Sequence, residues 1–89
     1  MFVYILYSFD HDKFYIGHTN DVNRRLAEHN DSDATSWTAS YQPWRIVHCE
    51  EHKDRSSAME KESYLKSLKN KTRIQEYIAG WRNGTSGGS

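Results

Sequence analysis

Residues 2–17 run Phe2-Val3-Tyr4-Ile5-Leu6-Tyr7, then Ser8-Phe9-Asp10-His11-Asp12-Lys13, then Phe14-Tyr15-Ile16-Gly17. The first six are aromatic and branched aliphatic, the composition of a strand. The next six are polar and turn-forming, and the last four restore the strand pattern. The reading is an N-terminal β-hairpin. If its turn is symmetric about Asp10-His11, Tyr4 and Tyr15 share one sheet face on adjacent strands, an alignment that a one-residue slip would undo. Gly17 closes the second strand, a position that calls for backbone freedom or the close approach of another group.

Outward from the hairpin, Thr19 or Asn20 can cap a helix running to about His29. Asp31 to Gln42 is a polar connector without a clear period, closed by Pro43. Trp44 to Glu50 then reads as a third strand. Ser57 with Glu60 forms a capping box that opens a helix to about Lys69, and Thr72 with Gln75 repeats the signature. In the last helix Ile74, Tyr77, Ile78 and Trp81 fall at i, i+3, i+4 and i+7, and Asn83-Gly84 is its expected stop. The order ββαβαα predicts an α+β fold, with helices flanking a small antiparallel sheet. One domain over 1–83 and a flexible tail over 84–89 are expected.

The chain has 89 residues, enough for one small core. Aromatic residues make up 13%, which speaks against intrinsic disorder. Cys49 is the single cysteine, so neither an internal disulfide nor a multi-cysteine zinc site can form. Met1 to Leu6 is too short an apolar run for a membrane span and lacks the basic start of a signal peptide. A cytoplasmic domain without membrane attachment is therefore expected. Net charge is zero, which disfavours indiscriminate polyanion binding, but residues 1–52 carry net −4 and residues 53–89 net +4. The basic half suits either phosphate contact or ordinary helical solubility.

Several polar residues fall where a helical wheel expects apolar ones. Val22 and Leu26 define the stripe of the first helix. His29 lies between them in angle and Arg25 at the edge, whereas Arg24 points into water. Taken singly, Arg25 can be a snorkelling side chain and His29 a satisfied half-buried histidine. Ala58, Met59 and Leu65 mark the apolar arc of the next helix, and Glu62 lies inside it while Glu60 faces away. A core-facing carboxylate needs a partner: Lys66 at i+4, or a divalent cation. Two tyrosines, an inward arginine, a histidine and an inward glutamate are together the parts of metal-assisted phosphodiester hydrolysis. His48 and His52 flank Cys49-Glu50-Glu51, but about 13 Å of strand separates them. They read as unrelated surface histidines beside a buried thiol.

Val3-Tyr4-Ile5-Leu6, Tyr15-Ile16-Gly17, Asn20 to His29, Gln42 to Val47 and Ala58 to Lys66 together resemble the GIY-YIG nuclease domain, especially its small stand-alone bacterial YhbQ-like group. The likeness covers residues 1–70. It implies a three-stranded antiparallel sheet flanked by helices, and a Mg²⁺-dependent endonuclease (Mn²⁺ as a substitute) acting on DNA, in repair or recombination. By the same resemblance Tyr4, Tyr15, Arg25, His29 and Glu62 are the catalytic residues, with Glu62 the metal ligand. Gly17, Lys66 and Lys69 are expected on the substrate. Phe2-Val3 stands where the first motif has Gly-Ile, and Ala39-Ser40 where relatives often carry a basic residue. With no separate recognition domain, sequence specificity is expected to be weak or supplied by a protein partner. Two other readings stand beside it. One is a poorly catalytic nucleic-acid-binding module using Lys66, Lys69, Lys71 and Arg73. The other is a protein-interaction domain with Trp37, Tyr41 and Trp44 as an exposed anchor.

Overall fold

The computed structural model describes residues 1–31, 33 and 36–87, with side chains as far as Trp81. Strand β1 (Phe2–Ser8) lies between β2 (Lys13–Thr19) and β3 (Arg45–Glu51) in one antiparallel sheet of order β2-β1-β3. The hairpin pairs Tyr4 with Gly17 and Leu6 with Tyr15, so it is symmetric about Asp10-His11 as the turn residues imply. Asp12 takes the left-handed conformation that closes the turn (φ 53°), and its amide donates to the Ser8 carbonyl at 2.7 Å. Its carboxylate accepts from Tyr7 Oη and Lys71 Nζ, both at 2.6 Å, tying the turn to the last helix.

Period-two alternation sends the β1 side chains to two different cores. Val3 and Ile5 join Ile16, Ala58, Leu65 and Ile74 on one face. Tyr4 and Leu6 join Trp44 on the other, with Tyr15, Val22, Leu26, Tyr41 and Ile46 packed around them. Pairing of β1 with β3 shifts between Ile5–His48 and Leu6–Ile46, a bulge that leaves Val47 as the extra residue. On its far side Glu50 opposes Val3 and Cys49 opposes Tyr4.

Three helices and a 3-10 turn complete the fold: α1 (Val22–His29), the turn Trp37–Tyr41, α2 (Arg55–Ser67) and α3 (Lys71–Gly87). Each helix begins at an Asp or Asn rather than at the expected Ser, Thr or Asn20. Thr19 is held in β2 opposite Phe2, and Asp21 accepts from the Arg24 amide at 3.1 Å instead. Asp54 accepts from the Ser57 amide at 2.8 Å, which places Ser57 inside α2. Asn70 accepts from the amides of Thr72 (2.8 Å) and Arg73 (3.3 Å). Asp and Asn cap at least as well as Ser and better than Thr, so Asp54 and Asn70 start their helices upstream of Ser57 and Thr72, while α1 starts just after Asn20, at Asp21.

Helix α3 runs past the expected Asn83-Gly84 stop. No described glycine has the positive φ that such a stop requires. Of the expected connector and tail, residues 32, 34, 35, 88 and 89 lie outside the described residues. Met59 is exposed rather than core, because Ala58, Glu62 and Leu65 at i, i+4 and i+7 set the inward stripe. Among the described residues no helix is long and apolar enough to cross a membrane.

Candidate active site

Tyr4 is buried in the middle strand, and its ring reaches across toward β2 over Gly17. A β-carbon at Gly17 would stand 2.7 Å from the Tyr4 hydroxyl oxygen and 3.1 Å from the Tyr15 ring. The glycine is therefore required by close approach, since its φ is not positive. At this position the glycine makes room for the Tyr4 and Tyr15 rings. Tyr4 and Tyr15 share the face, with ring centroids 6.2 Å apart.

A chain of hydrogen bonds fixes the group behind Tyr4. The Tyr4 hydroxyl lies 3.2 Å from His29 Nε2, and His29 Nδ1 lies 3.0 Å from Thr38 Oγ1. Thr38 is itself located by Trp44, whose indole N–H donates to the Thr38 carbonyl at 2.8 Å. Asn30, capping the C-terminus of α1, exchanges two hydrogen bonds with the Trp44 backbone (2.9 and 2.6 Å). Burial, then the nearby Arg25 charge, hold His29 below the usual histidine range, so the ring is neutral near pH 7. Burial raises the Tyr4 phenol above its ordinary value, partly offset by Arg25, and the Glu62 charge adds to the rise. In this network the neutral imidazole joins Tyr4 at Nε2 and Thr38 at Nδ1, one ring nitrogen accepting and the other donating.

Arg25 enters from α1, as the wheel places it, and its charge is strengthened chiefly by Tyr4 and then by Glu28. Its Nη1 donates to Glu28 at 2.5 Å. The outward Arg24 approaches the same carboxylate at 3.7 Å, so Glu28 has a second cationic neighbour. Tyr15, Arg25, Glu28, His29, Ser36, Trp37 and Thr38 line an open cavity of about 330 Å³. The Tyr15 hydroxyl has no hydrogen-bond partner among the described residues.

Glu62 faces in from α2 on the opposite side of the sheet, yet its charge is felt at the Tyr4 hydroxyl. One oxygen is bound by His18 Nδ1 and the other by Lys66 Nζ at 2.5 Å. Burial alone would raise this carboxyl, but His18 and Lys66 outweigh it and hold it below the usual range, so it is ionised. Lys66, expected on substrate, is thus on Glu62. Lys69 is exposed and ends α2 in the left-handed conformation (φ 53°). His18 and Thr38 escaped the sequence reading. His18 sits on the strand face away from both tyrosines, and Thr38 lies in a connector with no period to place it.

His48 and His52 are not unrelated: their Nε2 atoms lie 2.8 and 2.9 Å from the two oxygens of Glu50, to which Tyr77 also donates at 2.8 Å. Cys49, read as buried, is exposed because it points to the other face of β3. The aromatic anchor also breaks up, since Trp44 is 2% exposed and Trp37 54%. Trp44 is core. Among the described residues no three His, Cys, Asp or Glu side chains are grouped to hold a metal ion.

Residues 1–77 match the profile of the GIY-YIG catalytic domain. The chain is 37% identical to a UPF0213 protein of Natronomonas pharaonis over 67 residues, covering 75% of this chain and 78% of that one. It is 36% identical to a UPF0213 protein of Listeria welshimeri over 72 residues (81% and 79% of the two chains). A Halobacterium salinarum UPF0213 protein is 40% identical over 55 residues (62% and 71%). No solved structure matches.

Proposed function

The chain belongs to the GIY-YIG catalytic domain family, a family of endonucleases that generally use divalent metals, and on that premise we propose that it hydrolyses DNA phosphodiester bonds. The proposal extends to weak sequence specificity and to a role in DNA repair or recombination. One observation carries it: Tyr15, Arg25 and His29 line a single cavity, with the buried Tyr4 hydroxyl bonded to His29 behind them.

Arg25 takes the scissile phosphate. Its planar fork matches two phosphate oxygens, and its charge offsets the negative charge that grows as the attacking oxygen bonds to phosphorus. Tyr15, with its hydroxyl open to the cavity, holds the attacking water. Tyr4 is protonated at rest, because burial raises its pKa. It can act as a base only by passing its proton on, and neutral His29, 3.2 Å away at Nε2, is the acceptor. Thr38 and Trp44 keep that imidazole aimed.

Glu62 supplies the hard, ionised oxygen that suits Mg²⁺, or Mn²⁺ in its place. Such sites commonly need only one or two carboxylates, with water and phosphate completing the shell. Lys66, on an exposed and flexible stem, is the partner that can release it. When bound, the metal neutralises the phosphate and assists the leaving oxygen.

The test is cleavage of labelled DNA with Mg²⁺ or Mn²⁺, beside Glu62→Ala. Wild type is expected to give product, and the variant, though somewhat less stable for want of the His18 and Lys66 contacts, to stay folded and lose cleavage. A Glu62→Ala protein that cleaves fully in the presence of chelator contradicts the proposal.

A further inference from the structure

Trp37 is a large apolar ring left half in water at the rim of a polar, cationic cavity. It is not loose. Its ring packs on Tyr41 (centroids 4.8 Å apart) and on the buried Trp44 (6.2 Å). Trp44 in turn is anchored to Asn30 and Thr38, so the indole is buttressed by the same residues that aim His29. The cavity therefore presents a rigid aromatic ring on one part of its wall and the Arg25 guanidinium with polar side chains on another. An apolar protein anchor matches only the first. A nucleotide matches both, offering a flat base to the ring and a phosphate to the guanidinium.

Base pairs inside a duplex are already stacked on both faces and have no π-surface to give. Only an unpaired or splayed nucleotide does. We infer that Trp37 is a stacking platform for an unpaired nucleobase beside the scissile phosphate, so that the site takes single-stranded or locally unpaired DNA in preference to intact duplex. The inference deepens the endonuclease reading and rests on it.

Binding is measured with wild type, Trp37→Ala and Trp37→Phe in chelator, where no cleavage intervenes, using a short single-stranded oligonucleotide and its duplex. Trp37→Ala is expected to weaken single-strand binding by about 5- to 150-fold, the range for losing one base–aromatic stack. Duplex binding is expected to stay as it was, and Trp37→Phe to keep most of the affinity. An abasic nucleotide stepped along the strand gives a reading on the unmutated protein: one position lowers affinity by a similar factor, and has no further effect in Trp37→Ala. Equal losses for strand and duplex, or indifference to every abasic position, overturn the inference. If Mg²⁺-dependent cleavage persists alongside that result, the endonuclease reading survives and only the stacking role falls. If the protein neither binds nor cleaves any DNA, both fall.

Discussion

The two faces of this small sheet each bury a histidine, a tyrosine hydroxyl and further polar groups, yet they use them in opposite ways. On the α2/α3 side, Glu50 receives His48, His52 and Tyr77, which satisfies both of its oxygens within the protein. Such a closed network holds elements together and offers nothing to a ligand. On the α1 side, the Tyr4–His29–Thr38 chain is satisfied at its rear and opens at its front, where Tyr15 and Arg25 meet a cavity. Buried polar groups alone do not mark a site. The mark is a network with one side left for something else.

The comparison breaks most severely at Glu50. Removing a buried carboxylate that has three partners costs about 3–5 kcal/mol, a large share of what a domain this size has. Glu50→Ala is expected to be largely unfolded in urea titrations, while Glu50→Gln, retaining volume and an acceptor, stays measurable. The pH dependence follows from the same contacts. Burial would raise the Glu50 carboxyl, but the hydrogen bonds from His48, His52 and Tyr77 outweigh it and hold the pKa below its ordinary value of 4.5. A depressed carboxylate stabilises the fold fully above about pH 4.5, and that contribution is lost as pH falls through the lower folded value. The contribution of Glu50 to the stability gap between wild type and Glu50→Gln should therefore shrink as pH falls below about 4.5. A gap that widens in acid contradicts the assignment.

Gly17→Ala sharpens the other face. Its β-carbon would drive into the Tyr4 ring, which is buried and rigid. The expected cost is about 1–3 kcal/mol from overpacking, together with a fall in cleavage beyond what the lost stability explains. Normal activity in a stably folded Gly17→Ala protein shows that the placement of Tyr4 is not critical.

How much of this was legible in sequence depends on which rule governs each residue. Tyr4 and Tyr15 were placed on one face because a symmetric hairpin and a period of two leave little freedom. Arg25, His29 and Glu62 stood out because a helical wheel makes a polar residue on an apolar stripe visible. The helix starts were misread because Ser57 and Thr72 carry a capping signature, while Asp54 and Asn70 supply the bonds. The Glu50 cluster was available in principle, since residues 48, 50 and 52 share a strand face. The histidines are far apart as a pair, and only the Glu50 carboxylate between them joins the two. What could not be read at all is long-range. His18 meets Glu62 across 44 residues, and Thr38 and Trp44 support His29 from a connector that has no repeating pattern.

The most direct test of the division between the faces deletes one oxygen atom from each, through Tyr15→Phe and Tyr77→Phe. Cleavage rate and unfolding free energy are measured side by side on both proteins. Tyr15→Phe should lose most of its Mg²⁺-dependent cleavage with its stability unchanged. Tyr77→Phe should lose about 1.5 kcal/mol of stability, the worth of one hydrogen bond to a charged group, and cleave normally once folded. A fully active Tyr15→Phe, or a stable Tyr77→Phe that has lost cleavage, contradicts the assignment of chemistry to the open Tyr4–His29 network and of stability to the closed Glu50 network.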